Sequence, residues 1–134
     1  MNWTIEHIEA DNYVKIAVEG IFSIEEHAEC FKKLFSSPFW KPGMNLLYDN
    51  RNFDFTQMNF DKVKAGSNNY QKMRRDLGEG KMALLVGTPL GFGIGRQFGL
   101  VSEDKIGRDI CIFKDEKEAI DWLLDASDCP TTDD

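Results

Sequence analysis

Two arginines, Arg51 and Arg96, could hold an anion near the helix N-terminus at Thr88, with Asp49 close by in sequence to the first of them. A guanidinium binds carboxylates and phosphates through paired N–H donors, and Thr88 stands where a helix would open with free backbone amides. The other reading of Arg51 is a loop arginine paired with Asp49 or Asp54, which contributes little at a surface.

A second constellation is Gly91-Phe92-Gly93-Ile94-Gly95-Arg96, with Gly99 beyond it. A dinucleotide-binding turn would need a glycine where Arg96 stands, and it would follow the first strand of a sheet, not the fourth. Gly91, Gly95 and Gly99 are four apart and share one helical face, beside a stripe of Ile94, Phe98 and Val101. Either this bare face packs closely on its neighbours, or it forms a groove with Phe92 for an apolar ligand or a partner. Both remain open from the sequence.

The remaining reactive side chains do not cluster. His7 and His27 have no spacing that suits a metal or a triad, and they read as surface histidines on a strand and a helix. Cys30 and Cys111 read as buried thiols, Cys129 lies near the chain end, and three unpaired cysteines fit a reducing cytoplasm. With no nucleophile beside a base, no metal cluster and no intact nucleotide loop, neither an enzyme nor a cofactor is expected.

Charge narrows the partners. A net charge of −7 over 134 residues disfavours phosphate backbones, so nucleic-acid binding is not expected. No apolar run approaches the roughly 20 residues that span a bilayer, and from the polar, alternating N-terminus no signal peptide is expected.

The elements that must position these residues are legible in the patterning. Trp3–Ile8 and Tyr13–Val18 alternate as two strands joined by a short turn, an antiparallel hairpin. Ser23-Ile24-Glu25-Glu26 is a capping box opening a helix, with Glu26 returning a bond to the cap. Phe39 and Trp40 sit in the loop that follows, either closing the sheet end or forming a contact patch. Met44–Tyr48 is a short buried strand, and Asp49–Gln57 reads as a loop. Asn59 caps one long helix running to Leu77, and Met82–Val86 is a fourth strand. Thr88 and Pro89 open the glycine-rich helix. Asp109–Phe113 is a fifth strand, and Asp115 caps a last helix. The order β-β-α-β-α-β-α-β-α describes an α/β domain over residues 1–124, with a mostly parallel five-stranded sheet, one antiparallel edge strand and four helices. Residues 125–134 read as an acidic, disordered tail.

That order resembles the STAS-like domains, most closely the SpoIIAA-like group with the anti-sigma-factor-antagonist fold. The resemblance rests on the GKMALLVG strand, the glycine-rich helix after it and the closing DEKEAIDWLL helix, and it spans roughly residues 2–124. It implies a non-enzymatic regulatory module that docks on a protein partner or on itself, with a small-molecule carrier as the alternative. The antagonists carry an Asp-Ser-Ser-Gly-like phosphoacceptor where this chain reads Gln57-Met58-Asn59-Phe60-Asp61. The nearest hydroxyl is Thr56, so the phosphorylation switch does not carry over.

Overall fold

A tight turn with Asn12 in the left-handed region (φ 51°) folds strand β1 (Asn2–Ile8) back along β2 (Tyr13–Gly20) as an antiparallel pair. Strands β3 (Asn45–Phe53), β4 (Gly80–Leu85) and β5 (Arg108–Phe113) then add in parallel, and the sheet order is β1-β2-β3-β4-β5. The helices are α1 (Ile24–Phe35), α2 (Phe60–Lys72), α3 (Arg74–Leu77), α4 (Pro89–Ser102) and α5 (Glu116–Leu124). These descriptions come from a computed structural model and cover residues 1–125 and 127–130.

Strand order that follows chain order decides where the helices go. Each parallel crossover steps to the next strand in the same direction, so crossovers of one hand bring their helices to one face. Val14, Ile16, Leu46 and Met82 of the sheet accordingly pack with Phe31 and Leu34 of α1 and Tyr70 of α2. On the opposite face Leu47, Leu85 and Phe113 meet Ala119, Trp122 and Leu123 of α5. Because the order never reverses, there is no switch point between helices on opposite faces, where such sheets usually bind ligands.

All four expected helix caps form. Ser23, Asn59, Thr88 and Asp115 accept from the amides of Glu26, Lys62, Gly91 and Glu118 at 3.2, 2.9, 3.0 and 3.0 Å. Glu26 does not complete its box; its carboxylate accepts from Trp3 Nε1 at 3.0 Å, tying α1 to the edge strand.

Three expectations are corrected. The long helix over 60–77 breaks at Met73 into α2 and α3, one helix more than the sequence suggests. Gly78 then turns the chain at φ 72°, so close to Gly43 that a Cβ would lie 2.4 Å from its amide nitrogen. β3 runs on through Asp49–Phe53, read from the sequence as loop, because Asp49 pairs with Ala17 and, past an irregularity, Asn52 and Phe53 pair with Glu19 and Gly20 of β2. Finally, Cys111 and Cys129 form a disulfide with their Cα atoms 5.6 Å apart, and only Cys30 is a free thiol among the described residues. The segment after α5 turns back towards β5, which no local pattern announces.

Of the expected tail, 126 and 131–134 lie outside the described residues. Ser127 is held by the Lys81 ammonium, which donates to the carbonyl oxygens of Trp122 at 2.7 Å, Ser127 at 3.2 Å and Asp125. Phe39 stacks on His7, and Trp40 donates to Asp76 O at 3.0 Å, so both aromatics close the end of the sheet opposite the caps.

Candidate functional site

At the C-terminal ends of the strands, on the α5 side, four charges meet. Arg51 donates to both carboxylate oxygens of Asp49, at 3.0 and 2.9 Å, and reaches Glu116 at 3.1 Å. Lys15 binds Glu116 at 2.9 Å and stands 3.9 Å from Asp49. Burial pushes the Asp49 carboxyl up, but hydrogen bonds from Arg51 and the charges of Arg51 and Lys15 outweigh it and hold the group below its ordinary range. Two cations and two carboxylates balance here.

Arg96 lies elsewhere. It sits on α4, on the other face of the sheet, beside Phe92, Gly99 and Leu100 in a groove along β5. The Thr88 hydroxyl is occupied with the α4 cap. The structure therefore keeps Asp49 with Arg51 and separates both from Arg96.

The glycines of α4 divide into two kinds. A Cβ on Gly91 would meet the Phe55 ring at 3.0 Å, and one on Gly95 would meet Ile112 at 3.2 Å. At Gly93 and Gly99 a Cβ would meet nothing within 4 Å. Close packing thus accounts for Gly91 and Gly95, while Gly99 opens on the groove.

Beneath α4 lies a cavity of about 100 Å³, open on one side and bordered by the sheet, α2 and the start of α1. Val18, Tyr48, Leu84 and Val86 form its floor, and Val63, Gly66 and Tyr70 of α2 face Ile94, Gly95 and Phe98 of α4 across it. Half-buried Phe53, Phe55, Met58 and Lys62 mark its outer end, at the 3-10 turn Phe55–Gln57. The space follows from the sequence: Gly66 places no side chain opposite Phe22, whose ring a Cβ there would reach only at 3.9 Å.

The histidine and the phenols that line this cavity are kept neutral. His27, expected at the surface, is only 4% exposed, and burial lowers its pKa to about 4. Its ring stands edge-on to Tyr70 with centroids 4.8 Å apart, and Nδ1 contacts Asn69 Nδ2 at 2.8 Å. Burial also raises the phenols of Tyr48 and Tyr70 and pushes the nearby Cys30 thiol up to about 12. Among the described residues no group of three His, Cys, Asp or Glu could hold a metal ion. A signal for the burial of His27 was available: it stands three residues after Ile24 and four before Phe31, on the apolar stripe of α1.

No family model matches the chain, and no curated protein matches it. Among solved structures, it resembles an uncharacterized protein from the DUF3478 family, with a SpoIIAA-like fold, from Shewanella loihica PV-4. The two align with a TM-score of 0.62 at 18% identity, over 91% of this chain and 92% of the other. At that identity the likeness speaks for architecture and not for activity. The chain has a SpoIIAA-like fold.

Proposed function

We propose that this protein is a binding module for a small, mostly apolar molecule, which it holds in the cavity under α4 without acting on it. The observation that carries this reading is the cavity itself, apolar on its floor and on both helical walls, with its outer end at the strand C-termini. A pocket of this lining favours burial of apolar surface at about 25 cal/mol per Å². Its histidine and phenols are neutral, and the Lys62 ammonium at its outer end is engaged with Gln57 O at 2.9 Å. The carrier expected from the glycine-rich helix thus fits the inner face of α4, with Ile94 and Phe98 in the wall and Phe92 outside it.

The test is benzene binding followed by ligand-observed NMR. Saturable binding to the natural protein, lost in Gly66→Leu with the fold intact by circular dichroism, supports the reading. No binding, or equal binding by Gly66→Leu, defeats it.

A second reading, docking of a second copy, is favoured by the outer face of α4. Leu100 there is 70% exposed beside Gly99 and the groove along β5. Sedimentation that gives a dimer for the natural protein and a monomer for Leu100→Glu would support this reading. A monomer in both cases would remove it.

A further inference from the structure

The Asn69 side chain fixes the tautomer of His27. Its Nδ2 is an amide nitrogen and can only donate, so Nδ1 of His27, 2.8 Å away, accepts, and the ring proton resides on Nε2. No described protein group accepts from that Nε2–H. Among the described residues Trp122 Nε1 is the one side-chain nitrogen or oxygen that is both sealed off and unpaired. Nε2 of His27 is therefore unpaired but not sealed off, and His27 is one of the residues that line the cavity. Within an apolar lining, a ligand that offers this donor an acceptor is favoured over one of the same shape that cannot.

We infer that the ligand is a small neutral carbonyl compound, an aldehyde, ketone or ester, whose oxygen accepts from His27 Nε2–H while its hydrocarbon part fills the cavity. This rests on the reading that the cavity is the ligand site. Size agrees: about 100 Å³ is somewhat less than the ~150 Å³ of an engineered cavity that takes benzene. The head must therefore be small, with any longer portion directed to the outer end. A carbonyl matches better than an alcohol because it supplies an acceptor and brings no donor needing a partner of its own. A carboxylate is disfavoured at the inner end, since the one cationic side chain in the lining, Lys62, stands at the outer end and donates to Gln57 O at 2.9 Å. Burying an unpaired charge beside neutral groups is prohibitive.

Cyclopentanone and methylenecyclopentane are near-isosteres, differing in C=O against C=CH₂, and both would be titrated by NMR into natural protein, His27→Phe and His27→Gln. The expected result is that His27→Phe weakens cyclopentanone about tenfold and leaves methylenecyclopentane within about twofold, while His27→Gln, which keeps a donor, restores part of the ketone binding. If both compounds bind and His27→Phe weakens them equally, the carbonyl assignment is overturned while the cavity reading stands. If neither binds the natural protein, the cavity reading itself has failed. Should His27→Phe not fold, the ¹⁵N resonance of His27 Nε2 in natural protein decides. It shifts with cyclopentanone and not with the hydrocarbon if the inference holds, and responds alike to both if it does not.

Discussion

The guanidinium of Arg108, on β5, donates to the carbonyl oxygen of Leu77 at the end of α3, 2.5 Å away. It also binds the carbonyls of Met44 at 2.6 Å, Gly78 at 2.9 Å and Lys81 at 3.1 Å, and it is 8% exposed. One side chain thus satisfies oxygens from the α3 terminus, the start of β3 and the start of β4. Replacing it by methionine keeps the stem and orphans these acceptors. A loss of at least about 3 kcal/mol in urea unfolding is expected. A lysine, with one compact ammonium, should recover less than half of that loss.

The glycines of α4 and the turn before β4 should respond in opposite directions to alanine. Gly93→Ala and Gly99→Ala meet open space and should each stabilise by up to about 1 kcal/mol through helix propensity. Gly91→Ala crowds the Phe55 ring and the Thr88 hydroxyl, at 3.0 and 3.2 Å, and should destabilise. Gly78→Ala combines φ 72° with a 2.4 Å approach to Gly43 N and should lose more than about 2 kcal/mol. Midpoints of thermal unfolding for the four variants test the order.

Acid should weaken the fold through His27. Its pKa is about 4 in the folded protein against 6.5 unfolded, so the unfolded chain binds the proton first as the pH falls. Stability contributed by the neutral ring is fully present above pH 6.5, declines as the pH drops towards 4 and levels off below. The span is about 3 kcal/mol at most. His27→Gln should flatten the stability–pH curve in that window; an unchanged slope would show that other groups dominate it.

Reduction should lower stability through the Cys111–Cys129 link. Its ends are 18 residues apart, and closing a loop of that length restricts the unfolded chain by about 3 kcal/mol. Unfolding with and without dithiothreitol should differ for the natural protein and coincide for Cys129→Ser. Lys81, bound to three carbonyls across the same segment, should keep that loss below complete unfolding.

What could be read in the sequence was mostly local. Ser23, Asn59, Thr88 and Asp115 announce their helices because a cap needs only its own third-next amide. The parallel sheet was legible from the spacing of apolar runs. Asp49–Phe53 was not, since polar residues in the end of a strand look like loop until the partner strand is known. His27 carries a polar name on an apolar stripe, and its burial depends on α2 bringing Asn69 and Tyr70 against it. The separation of Arg51 from Arg96 depends on which face each crossover takes. The disulfide depends on where the segment after α5 travels. Each miss is a long-range relation, invisible to a window of neighbouring residues.

Strand order that copies chain order has a kinetic consequence. Every pairing in the sheet joins a strand to the next one along the chain, so no pairing waits for a distant segment, and contact order stays low for a parallel sheet. The sheet can lengthen by one strand at a time as the chain leaves the ribosome. β5 joins last, and it carries both Arg108 and Cys111, so the fastenings that hold its neighbours close only when assembly is nearly complete.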